Sequence, residues 1–81
     1  MTRYILNKNT VLREDENIVF DSNKFIVHKF NPEGFSIIKH FSNGALTQQE
    51  LESLCPGISN DDLAEFIVKA SAVGILISYE S

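Results

Sequence analysis

Asn31-Pro32 divides this chain into two halves with different hydrophobic periods, and no single regular element runs comfortably across it. Proline lacks a backbone N–H and fixes its own φ, so it interrupts a strand ladder yet suits the first turn of a helix, with the preceding asparagine as cap. Upstream, apolar residues alternate in short runs; downstream, they recur three and four positions apart. The stretch "KFIVHKFNPEGFSIIKHF", Lys24 to Phe41, contains the switch. Its strand half is apolar on both faces: Phe25 and Val27 point one way, Ile26 and Phe30 the other.

The upstream half reads as three antiparallel strands, 10–14, 17–21 and 24–30, joined by "EDEN" and "DSNK". Two-residue loops at Asp15-Glu16 and Ser22-Asn23 would place Val11 opposite Phe20, Phe20 opposite Phe25, and Ile18 opposite Val27. Leu12, Val19 and Ile26 then share the other face. One face covers the helices, and the other stays open unless Tyr4, Ile5 and Leu6 fold over it.

The downstream half reads as three helices. The first spans 32–42, stopped by Gly44, with Gly34, Ile37, Ile38 and Phe41 inward. "TQQE", Thr47 to Glu50, is a capping box opening a short helix with Leu51 and Leu54 inward, ended by Pro56-Gly57. The third starts at Ser59 to Asp61 and runs to Val73, before Gly74. Its core stripe is Leu63, Phe66, Ile67, Ala70 and Val73. Ala64, Val68 and Ser71 form a shoulder beside that stripe, making it wider than a three-helix core requires. The fold class is therefore α+β, a three-stranded antiparallel meander followed by three helices, with winged-helix-like order. A single domain over 10–77 is expected, with 1–9 a flexible N-terminal segment and 78–81 a C-terminal tail.

Composition narrows the function classes. At 81 residues the chain is large enough for a modest core and too small to enclose a deep catalytic cavity as well. No apolar run approaches the roughly 18 residues of a membrane span, and "MTRYILNKNT" lacks the segment of a secretory signal, so a cytoplasmic location and no membrane partner are expected. Cys55 is the only cysteine, which excludes an internal disulfide. His28 and His40 lack metal-ligand spacing, Glu14 to Glu16 lack the pattern of a calcium loop, and no phosphate loop or cofactor fingerprint occurs. Neither catalysis, nor a metal, nor a cofactor is expected.

The order of elements also suits a winged-helix DNA-binding regulator. Charge argues against it: the net charge is −4, and the outer face of the presumptive recognition helix would show phosphate Asp61, Asp62 and Glu65 against Lys69 alone. Nucleic acid is not an expected partner. A second alternative is a subunit-interaction domain that pairs its exposed strand with another copy, giving a homodimer.

The pattern running through "VLREDENIVFDSNKFIVHKFNPEGFSIIKHFSNGALTQQEL" resembles the PqqD-like family, the peptide chaperones also called RiPP recognition elements. The matching features are Phe30-Asn31 closing a strand, Gly34, the Ile37-Ile38 pair, "FSNG" at Phe41 to Gly44, Thr47 with Glu50-Leu51, and "SAVGIL" from Ser71 to Leu76. Departures lie at Val27-His28-Lys29-Phe30, where the family often has a tyrosine before a Leu-Asn pair, and at Ile38. The resemblance implies a non-catalytic chaperone that binds the leader segment of a ribosomally made precursor peptide and delivers it to a separate modifying enzyme, such as one of the radical SAM type. It further implies that the leader adds as an antiparallel strand beside the third strand, in a cleft walled by the third helix. The expected binding residues are Lys24, Phe25, Ile26, Val27, His28 and Lys29 on the strand, and Ala64, Ile67, Val68 and Ser71 on the helix. Lys24, Lys29 and Lys69 would attract an acidic leader.

Overall fold

The structure is a computed structural model and describes residues 1–80. It is an α+β fold in which a three-stranded antiparallel sheet, three helices and a second, two-stranded sheet enclose one core. The elements are β1 (Thr2–Leu6), β2 (Thr10–Arg13), β3 (Ile18–Asp21), β4 (Ile26–Lys29), α1 (Pro32–His40), α2 (Gln48–Leu54), α3 (Asn60–Ala72) and β5 (Leu76–Glu80). A 3₁₀ turn, Phe41–Asn43, follows α1.

The meander has the order β2-β3-β4, which leaves β4 at an edge. Its first hairpin has the expected register, Val11 opposite Phe20, with Asn17 taking the left-handed conformation (φ 54°) that asparagine tolerates in turns. The second hairpin differs. Phe20 faces Val27 rather than Phe25, and Val19 faces His28 rather than Ile26. The cause is Asp21, only 1% exposed, whose Oδ1 accepts the backbone N–H groups of Asn23 and Lys24 at 3.0 and 3.1 Å. That carboxylate organises a four-residue loop, 22–25, in place of the two-residue one, and Phe25 closes it with φ 57°. A bulky side chain in that region is a strained exception. Because the slip is two residues, each strand keeps its side chains on the expected faces.

The terminal segments are not loose ends. Residues 2–6, within the expected flexible segment 1–9, pair as β1 with β5, Leu6 opposite Leu76 and Ile5 opposite Ile77. Tyr4 exchanges both backbone bonds with Leu46, at 2.8 and 3.0 Å. Residues 78–80 of the expected tail continue β5, and Ser81 lies outside the described residues. Tyr4 and Leu6 therefore pack against the core and do not cover the outer face of the meander.

Each helix starts on the side chain its sequence supplies. Asn31 Oδ1 accepts from Gly34 N–H at 2.7 Å, and Ser59 Oγ from Asp62 N–H at 3.2 Å. Thr47 and Glu50 close a reciprocal box, and the same Glu50 carboxylate accepts from Arg3. These bonds, the Thr47 backbone N–H foremost, hold the Glu50 carboxyl below its ordinary range. The core joins Val19 of β3, Phe35, Ile37, Ile38 and Phe41, Leu51 and Cys55, Leu63, Ile67 and Ala70, and Ile75 with Leu76. Leu54, expected inward, is exposed; Cys55 takes the inward place at the end of α2, where burial raises its thiol pKa.

Candidate binding groove

The exposed edge of β4 is defined by one hydrogen bond. Phe30 N–H donates to Asn17 O at 2.9 Å, so bonded pairs alternate back along the hairpin through 19–28 and 21–26. The amides of Val27 and Lys29 consequently point away from β3. Among the described residues no strand lies beyond them.

A groove of about 420 Å³ opens along this edge. Val27, His28 and Lys29 form its sheet side, and Phe66, Lys69, Ala70 and Val73 its helix side, with Phe30 and Ile75 completing the lining. Ala70 is buried, whereas Val73 is 44% exposed. The Phe30 and Phe66 rings lie 6.0 Å apart between centroids at 45°. A Cβ on Gly34 would approach Phe30 at 3.4 Å, Phe66 at 3.5 Å and Asn31 Oδ1 at 3.0 Å, so glycine there lets the aromatic pair settle against α1.

The polar groups are few. His28 Nε2 is buried and has no hydrogen-bond partner among the described residues. Lys69 pairs with Glu65 one turn earlier at 2.8 Å; their hydrogen bond and charge raise the lysine pKa and lower the carboxylate pKa. Both side chains are solvent-exposed, so the pair adds little to stability. Among the described residues, Lys24 and Lys29 form no ion pair, and no three His, Cys, Asp or Glu side chains come together as a metal site would require. No helix among them is long and apolar enough to cross a membrane.

Of the residues expected to bind, Val27, His28 and Lys29 are brought together here. Lys24 and Phe25 lie in the β3–β4 loop, and Ile26 begins β4 outside the lining. The helix side falls on the other flank of α3 from the one expected. Ile67 is in the core at 2% exposure, Ala64 and Ser71 are half-buried away from the groove, and Val68 is 67% exposed. Phe66 and Val73, expected from the sequence in the core stripe, and Lys69, expected on the outer face, lie one and two turns apart along one flank and edge the groove, with Val73 44% exposed. Ile75 follows Gly74 (φ 84°), whose left-handed turn ends α3 and sends the chain back along it. On the opposite face of the meander, Val11, Ile18, Phe20 and Val27 line a separate depression of about 460 Å³, and Phe25 beside it is 80% exposed. Comparison with protein-family models, with curated proteins and with solved structures finds no match for this chain.

Proposed function

We propose that this protein is a non-catalytic, winged-helix-like peptide chaperone of the PqqD-like kind, acting in the cytoplasm. It binds the leader segment of a ribosomally made precursor peptide and delivers it to a separate modifying enzyme. The supporting observation is the unpaired edge of β4, whose outward Val27 and Lys29 amides border an apolar groove floored by α3. Strand addition uses such an edge: main-chain bonds give general affinity, and the groove selects alternate side chains. Holding the leader raises the effective concentration of the attached core peptide at the enzyme's active site.

A cognate leader binds with micromolar or better affinity, about 8 kcal/mol or more. Val27→Pro removes one outward donor and spares the ladder to β3, so the variant stays folded and loses most leader affinity. Ile26→Pro removes the donor that faces Asp21 and is much less stable. Circular-dichroism melts beside leader titrations decide the matter: a folded Val27→Pro protein that binds normally rules out pairing along β4. A second reading pairs the same β4 edge with that of another copy, and the exposed apolar side chains of Phe25, Ile26 and Val27 at this edge favour it. That reading requires a concentration-dependent dimer, dissolved by added leader.

A further inference from the structure

The groove continues past Phe30. Beyond the Phe30–Phe66 pair, a second depression of about 370 Å³ runs between the start of α1 and the first half of α3, bordered by Glu33, Gly34, Ile58 and Asp62. β4 and α3 run in opposite directions along it. Phe30, just after β4, meets Phe66, whereas Lys24, before β4, reaches Gly74 just past α3: a Cβ on Gly74 would lie 3.4 Å from Lys24 Nζ.

Charge is sorted along this axis. Lys24 and Lys69 stand at the end where β4 begins, Glu33 and Asp62 at the end where α3 begins, and Lys29 borders both depressions between them. Glu65 pairs with Lys69 and weakens the positive end without reversing it, because Lys24 has no ion pair among the described residues.

We propose that the groove reads the direction of its peptide by charge: the ligand has an apolar centre, a basic residue towards its N-terminus and an acidic residue towards its C-terminus. This rests on the strand-addition reading above. The whole meander is antiparallel, and antiparallel pairs are slightly more stable per residue than parallel ones. A strand laid antiparallel to β4 enters beside Glu33 and Asp62 and leaves beside Lys69 and Lys24. From Asp62 to Val73, α3 rises about 16 Å at roughly 1.5 Å per residue. An extended chain covers that length in about five residues. The two ligand charges are therefore about five residues apart, with alternate apolar side chains between them. A peptide of exchanged end charges sets its carboxylate against Glu33 and Asp62 and its ammonium against the lysines, so it binds more weakly.

The test is selection of a phage-displayed library of random twelve-residue peptides on the immobilised full chain at low ionic strength. Two further selections use Glu33→Lys/Asp62→Lys and Lys69→Glu. Expected are enriched peptides with Lys or Arg about five residues before Asp or Glu, the first preference lost on the double variant and the second weakened on Lys69→Glu. A synthetic copy of an enriched peptide should bind about tenfold tighter than the same peptide with its end charges exchanged. Equal binding of the two overturns the charge reading and leaves strand addition standing. Failure to enrich any peptide, or enriched peptides that leave the Val27 and Lys29 amides unshifted in NMR spectra, removes the strand-addition reading and this inference with it.

Discussion

Val68 within α3 and Val73, the residue that caps it, stand on opposite flanks of that helix, and the stripe between them holds Leu63, Ile67 and Ala70 in the core. Val73 borders the groove beside the free edge of β4, whereas Val68 is 67% exposed and does not line that groove. A helical wheel separates the flanks but does not rank them. What ranks them is β4, because a floor for an added strand is useful only where an unpaired strand edge lies alongside.

The largest expected effect tests whether the stripe between the flanks is core and only core. Ile67→Ala removes a side chain that is 2% exposed and should cost about 2–5 kcal/mol of folding stability. Val68→Ala, next to it, should stay within about 0.5 kcal/mol. Urea unfolding of the two variants measures the gap, and similar losses would mean that Val68 is covered by something the chain itself supplies.

The next effect is on binding and separates the flanks directly. Val73→Glu places a charge where the peptide would cover it and should weaken binding by about 1–3 kcal/mol. Val68→Glu should bind as the unaltered protein does. The reverse outcome would restore the shoulder of Ala64, Val68 and Ser71 as the wall, as the sequence alone suggested.

The place of the groove on α3 shows where sequence reasoning holds and where it stops. Caps were legible because each is a local bond between near neighbours: Asn31 to Gly34, Thr47 with Glu50, Ser59 to Asp62. The outward direction of the Val27 and Lys29 amides was legible because a two-residue slip preserves strand parity. The slip itself was not, since Asp21 looks like an ordinary loop residue until its burial and its two accepted bonds are seen. The β1–β5 sheet escaped for a different reason. "TRYIL" and "LISYE" pair opposite ends of the chain, so no hairpin loop between them announces the pairing as "EDEN" and "DSNK" do for the meander. The flank of α3 needed the three-dimensional position of β4, which no helical period carries.

The smallest effect concerns two polar atoms, one on each side of α3. His28 Nε2 and Ser71 Oγ are both buried without a hydrogen-bond partner among the described residues, but His28 borders the groove and Ser71 does not. An unsatisfied buried polar group costs roughly 1–3 kcal/mol, so replacing it with an apolar group of similar shape removes a penalty. His28→Leu and Ser71→Ala should each raise folding stability, by about 1 kcal/mol at most once the changes in packing are included. Bound peptide should separate them. A ligand lying on β4 can offer Nε2 a partner, so the gain from His28→Leu shrinks when leader is present, while the gain from Ser71→Ala is the same with and without it. Chemical denaturation of both variants at zero and saturating leader measures the difference. If both gains are unaffected by leader, the peptide does not reach His28, and the groove beside β4 is occupied only near Phe66 and Val73.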